Sequence, residues 1–111
     1  MLTPTETDGV FHALADATRR DIVRTVLVGE LSVSALARRY PMSFAAVQKH
    51  VAVLERAGLV TKQRRGREAL VSADIDRVRD ARQALDAFEQ LWRDRVAQMD
   101  QILAEDPEPR S

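Results

Sequence analysis

Between Leu31 and Val71 the chain reads LSVSALARRYPMSFAAVQKHVAVLERAGLVTKQRRGREALV, two successive helical rhythms followed by two short β-prone runs. Ser32 is placed to cap a helix in which Val33, Leu36, Ala37 and Tyr40 recur at helical spacing while Arg38 and Arg39 face outward. Proline cannot continue a helix and biases the residue before it toward extended backbone, so Pro41 ends this helix at Tyr40. Only Pro41 and Met42 then separate it from Ser43, the next candidate cap, and so short a connection makes the two helices cross sharply. In the second helix Val47, Val51 and Leu54 fall within about 60° of one another at ~100° per residue, which makes them the inward stripe. Its opposite side is Ala45, Gln48, Lys49, Ala52 and Arg56, small and basic, so its backbone can approach another surface closely. Gly58 closes the helix, and Leu59-Val60 and Ala69-Leu70-Val71 flank a basic turn around Gly66. The order predicts a helix-turn-helix followed by a β-hairpin wing.

The flanking segments read as support for this unit. Residues 1–7 are polar and are expected to form a flexible arm. Asp8 can cap a short helix with Val10, Phe11 and Leu14 on one face, and Asp16 a second helix from Ala17 to about Val28. In that second helix Ile22, Val23, Val26 and Leu27 are expected inward and Arg19, Arg20 and Arg24 outward, with Gly29 as the stop. From Asp74 to about Glu105 one long helix of ~45 Å is expected. Along it Val78, Ala81, Leu85, Phe88, Trp92, Val96, Met99 and Leu103 are spaced three or four apart, an apolar seam that a core of this size cannot absorb. A second copy of the chain is the natural cover, which predicts a homodimer using Val10, Phe11, Leu14, Leu85, Phe88, Trp92, Val96, Met99 and Leu103. Residues 106–111 are expected to be a flexible tail, leaving one domain over 8–105 that is mainly α with a small β-hairpin: a winged helix-turn-helix of four helices, two strands and a long fifth helix.

At 111 residues the chain suits one domain, and an aromatic content of 5% with few Gly and Pro favours helices. No apolar run is long enough for a membrane span and no secretory leader is visible, so a cytoplasmic protein with no membrane partner is expected. The absence of Cys excludes disulfides, thiolate metal sites and Cys nucleophiles. Although the net charge is zero, residues 31–70 carry eight basic side chains against Glu55 and Glu68, whereas the segments before and after are net acidic. Positive field concentrated on one element is what a phosphate-binding surface requires.

Double-stranded DNA is therefore the expected partner, with Ser43, Phe44, Ala45, Gln48, Lys49, His50, Arg64, Arg65 and Arg67 as the candidate contacts. Gln can bond adenine and Lys can donate to guanine in the major groove; the plainer alternative for Gln48 and Lys49 is a solvated polar face. Ser43 can offer its hydroxyl and the neighbouring amides to a phosphate, or simply cap. His50 borders the inward stripe and reads equally as a DNA contact or a structural histidine. Arg64, Arg65 and Arg67 can meet phosphates or serve only solubility. Phe88 and Trp92 can line a pocket for a small-molecule effector, although dimer core is the simpler use. Catalysis finds no support: there is no Gly-rich phosphate loop, and the two His lack a companion Ser and Asp constellation.

With these elements in place, the chain resembles the ArsR-type (arsenic-repressor-like) winged helix-turn-helix regulators over roughly Val10 to Leu103. The carriers are HALADATRRDIVRTV, LSVSALARRY, MSFAAVQKHVAVLERAGLV and the RRGRE wing, with HVAVLERAGLV the most specific. The resemblance implies a homodimeric repressor on a palindromic operator, its recognition helices entering successive major grooves. Metal sensors of that family carry a Cys-x-Cys pair at the positions Ser32, Val33 and Ser34 resemble, or His and acidic ligands in the last helix. This chain has no Cys and no His in its last helix, and its SFAAVQKH and Phe88-to-Trp92 segments are similar to a metal-independent subgroup, so no metal or other cofactor is expected. Two other readings are a winged-helix module that docks an acidic protein, and a metal-responsive repressor built on His12, His50 and carboxylates.

Overall fold

A computed structural model describes residues 1–105. Its elements are α1 (Pro4–Leu14), α2 (Ala17–Val28), β1 (Leu31–Ser32), α3 (Val33–Ala37), α4 (Phe44–Arg56), β2 (Val60–Arg65), β3 (Glu68–Ala73) and α5 (Ile75–Glu105). This is the winged helix-turn-helix expected, with one strand more than the sequence suggested. The sheet is antiparallel in the order β1-β3-β2, with Leu31 opposite Val71 and Ser32 opposite Leu70. The expected tail from residue 106 lies outside the described residues.

Side-chain caps account for most helix starts. Asp16, Ser32 and Ser43 each accept from the backbone N–H three residues on, at 3.0, 3.0 and 3.1 Å, and Asp74 does the same for Arg77 at 3.2 Å. Each such cap typically stabilises by about 1 kcal/mol. The first helix departs from expectation: it begins at Pro4, not after Asp8, because Thr3 and Glu6 form a capping box in which each side chain accepts from the other's backbone N–H. Residues 4–7 are therefore helix and not arm.

The third helix is also shorter than its rhythm implied. After Ala37 the amides of Arg39 and Tyr40 bond three residues back, a tight turn that brings the Tyr40 hydroxyl 2.7 Å from Asp21 on α2. At the end of α4, Gly58 takes φ +79° while its own amide bonds Glu55 and that of Leu59 bonds Leu54, both at 3.0 Å. This left-handed exit turns the chain into β2 and buries Leu54 and Leu59 together. The wing closes over Gly66-Arg67 between Arg65 and Glu68; positive φ at Gly66 alone is the pattern of a type II′ hairpin turn.

The core gathers Ile22, Leu36, Val47, Val51, Leu54, Leu59, Val60 and Val71 at under 2% exposure. Val10 belongs to it too, at 0%, so it cannot supply area to a dimer interface as expected. Phe11 and Leu14 are only partly buried against the same cluster. Leu27, expected inward, is 44% exposed: the interior face of α2 is already filled by Ile22, Val23 and Val26. Only Ala81 of α5 is buried; Ala84 and Ala87 still border Met1 and Leu2, and past them the helix is almost wholly exposed, in a molecule whose extents are 79 × 29 × 24 Å.

Candidate nucleic-acid interface

Two neighbouring features form one basic concavity: the outward side of α4 and the inner face of the wing. Residues directly opposite in an antiparallel pair share a face, and faces alternate along a strand. Val60 and Val71 are buried, so Lys62, opposite Val71, and Arg64, opposite Ala69, share the side that faces α4. They border a groove of about 350 Å³ with Arg67 of the turn, Phe44 and Gln48 of α4, and Ser34 of α3. Glu68 is the acid in this lining. Phe44, 47% exposed at the first position of α4, puts an aromatic face at the groove mouth.

Among the described residues, Arg65 is the only one of the eight basic side chains in residues 31–70 with a carboxylate inside ion-pair distance. Outside that segment five arginines pair with acids. The groove therefore keeps its charge in the open, where counter-ions or phosphates can meet it.

The sequence-proposed contacts separate in space. Ser43 caps α4 through its oxygen, which leaves the hydroxyl proton free to donate outward. Phe44, Ala45, Gln48 and Lys49 are exposed on α4, while Arg64 and Arg67 face the groove. Arg65 does not join them. It lies on the other face of β2, where its Nη1 donates to Glu30 at 2.9 Å. His50 is only 22% exposed and turns toward α2, with Nδ1 3.3 Å from Arg19 Nη1 and 4.0 Å from Asp16. Arg19, expected outward, folds back to donate to the Ala13 and His12 carbonyls at 2.7 and 3.1 Å. Sequence reasoning passed over Lys62; strand alternation from the apolar Val60 was the signal that it shares a face with Arg64.

The seam on α5 is open to solvent. Leu85, Phe88, Leu91, Trp92, Met99, Ile102 and Leu103 are each more than half exposed, and Val96 is half-buried. Leu91 and Ile102 widen the stripe beyond the expected set. Seven large side chains in this state present several hundred Å², the order of the ~800 Å² that each partner contributes to a standard interface. The concavity around Phe88, Leu91, Trp92, Arg95 and Gln98 is walled by α5 alone, which makes it part of this seam and not an enclosed pocket. Among the described residues no cluster of three or more His, Cys, Asp or Glu side chains could hold a metal ion, and no helix is long and apolar enough to cross a membrane.

Residues 14–63 match a family described as a helix-turn-helix domain. Over 88 residues the chain is 39% identical to the HTH-type transcriptional regulator Rv2034 of Mycobacterium tuberculosis, spanning 79% of this chain and 82% of that one. Among solved structures, an ArsR-like transcriptional regulator from Rhodococcus sp. RHA1 superposes with a TM-score of 0.77 at 34% identity, covering 88% of this chain and 92% of the other. The homodimeric winged helix-turn-helix DNA-binding domain of a possible ArsR-family regulator from Mycobacterium bovis superposes with a TM-score of 0.64 at 26% identity, over 81% and 80% of the two chains.

Proposed function

Because the chain belongs to the ArsR-type helix-turn-helix transcriptional regulators, we propose that it acts as a homodimeric repressor that occupies a palindromic operator and so blocks transcription. The observation that carries this reading is the groove between α4 and the wing, with its unpaired Lys62, Arg64 and Arg67. In the proposed complex α4 enters the major groove with Gln48 and Lys49 toward base edges and Phe44 toward a thymine methyl group. Lys62, Arg64, Arg67 and the Ser43 hydroxyl meet phosphates, which set register without reading sequence. Two copies joined along α5, with Leu85, Phe88, Trp92, Met99 and Leu103 in the contact, would present two recognition helices to half-sites about one helical turn, ~34 Å, apart or a multiple of it.

Footprinting on the DNA upstream of its own reading frame tests this, together with competition against random duplex at several salt concentrations. A protected inverted repeat, preferred over random duplex and lost steeply as salt rises, is expected. Binding with no sequence preference would remove the operator-reading proposal and leave the basic groove for an acidic protein partner.

A further inference from the structure

The recognition helix rests on the core through Val47, Val51 and Leu54, all at 1% exposure or less. Apolar burial is non-directional, so these contacts set how deeply α4 sits and only weakly how it is rotated about its axis. Rotation matters here: with a side-chain radius of roughly 5–6 Å, a turn of about 20° moves the tip of Gln48 by ~2 Å, enough to break a hydrogen bond to a base edge. A directional contact is needed on the flank of α4 away from Gln48.

His50 lies on that flank. Arg19 Nη1 is 3.3 Å from its Nδ1, and a guanidinium has donors only, so Nδ1 must accept. The neutral ring then carries its proton on Nε2. The other two arms of Arg19 donate to the Ala13 and His12 carbonyls in the last turn of α1, the second of which also accepts from the Ala15 N–H at 3.2 Å. Asp16 holds the Arg19 backbone N–H at 3.0 Å and lies 4.0 Å from the same ring nitrogen. At its opposite end α1 is tied to the base of α5, where Arg77 Nη1 donates to Glu6 at 3.2 Å.

We propose that Arg19 and His50 form a joint through which α1, anchored on the base of α5, fixes the rotation of the recognition helix, making both of them positioning residues for base reading. The inference rests on the DNA-reading proposal above. In it Arg19 reaches the Ala13 and His12 carbonyls and His50 at once, a span that the single ammonium of lysine cannot cover.

The test uses the full-length protein. A pool of random duplexes is first enriched with the wild type, and affinities for the enriched and a scrambled duplex are then measured for Arg19→Lys, His50→Gln and His50→Asn. Asparagine sets an amide oxygen near the Nδ1 position and glutamine near Nε2, so only asparagine restores the acceptor. The expected result is a loss of about tenfold or more in the enriched-to-scrambled ratio for Arg19→Lys and His50→Gln, with His50→Asn within about threefold of wild type. Affinity for the scrambled duplex stays within about twofold in all three. Ring ¹⁵N spectra of the wild type above pH 8 should show His50 protonated on Nε2, a readout independent of DNA and of how well any variant folds. Protonation on Nδ1, or equal ratios for the asparagine and glutamine variants, overturns the joint. No enrichment by the wild type overturns the DNA reading and the joint with it, whereas normal enrichment with unchanged variant ratios overturns the joint alone.

Discussion

Arg64 and Arg65 are adjacent in sequence and lie on opposite faces of β2, which gives the sharpest test of the proposed interface. Arg64 faces the groove without an acidic partner, whereas Arg65 is committed to Glu30 on the far side of the sheet. Removing one phosphate contact per protomer removes two per dimer, and each contributes about 0.9 to the slope of log K against log salt. Arg64→Ala should therefore make that slope shallower by ~1.8, which corresponds to an affinity loss of about 200-fold at 0.05 M salt and about 30-fold at 0.15 M. Arg65→Ala dissolves an exposed ion pair of the kind worth about 0–1 kcal/mol and should change affinity by less than about threefold, with the slope intact. Fluorescence anisotropy with a short duplex suffices, and because phosphates are alike the duplex can have any sequence. Equal slope changes for the two variants would falsify the assignment of faces on β2.

Four further outcomes follow from the same geometry. Gln48→Ala should alter which bases are enriched from a random pool while leaving the salt slope unchanged, and identical enrichment profiles would take Gln48 out of base reading. Phe88→Glu together with Trp92→Glu should give a monomeric mass by sedimentation at ~10 μM with helical circular dichroism retained, since two charges in the seam cannot be buried against a second copy; a persistent dimer would move the interface elsewhere. Gly58→Ala should cost about 2 kcal/mol and lower the melting midpoint by ~10 °C, because the left-handed backbone penalises a Cβ and that Cβ would sit 2.8 Å from Arg77 Nε; an unchanged midpoint contradicts this. Glu6 is held below its ordinary pKa of 4.5 by the Thr3 backbone N–H and then by Arg77, and Asp16 below 3.8 by the Arg19 backbone N–H. Depressed carboxylates contribute stability that is present above those values and lost as pH falls through the folded ones, so unfolding curves of Glu6→Gln and Asp16→Asn should be flatter than wild type below pH 4.5 and 3.8 respectively.

Local chemistry explains what the sequence revealed. A cap needs only a hydroxyl or carboxylate three residues ahead of an amide, so Asp16, Ser32, Ser43 and Asp74 announce their helices. The stripe of α4 follows from spacing alone. The start of α1 was legible too, in Thr3-Pro4-Thr5-Glu6, but the polarity of that exposed turn masks the box. Tertiary facts were not legible. Strand β1 is two residues long and exists only because β3 passes beside it. Arg65 and Arg67 look equivalent around Gly66 until packing decides which face of the sheet meets α4. Likewise the direction of Arg19 depends on where the last turn of α1 leaves its carbonyls, a position that no periodicity in α2 encodes.

The zero net charge of the chain conceals a division of surfaces that constrains how it can lie on a duplex. On α5 the exposed pairs Arg79–Asp76, Arg82–Asp86 and Arg93–Glu89 are worth only a few tenths of a kcal/mol each in stability, too little to explain their recurrence along one helix. Their larger effect is to cancel positive charge along α5, so that the uncompensated cations collect on the α4–wing face. Past Arg95 the helix keeps Asp100 and Glu105 with no further base among the described residues, so its free end is repelled by DNA. The central segment does the opposite and leaves seven cations without a carboxylate partner among the described residues. In the proposed complex electrostatic steering turns the α4–wing face toward the duplex and the α5 seam away from it. In the proposed dimer the seam is then free to meet its copy in the same encounter that presents both reading heads, and an apolar stripe pointing away from DNA costs nothing in phosphate contacts.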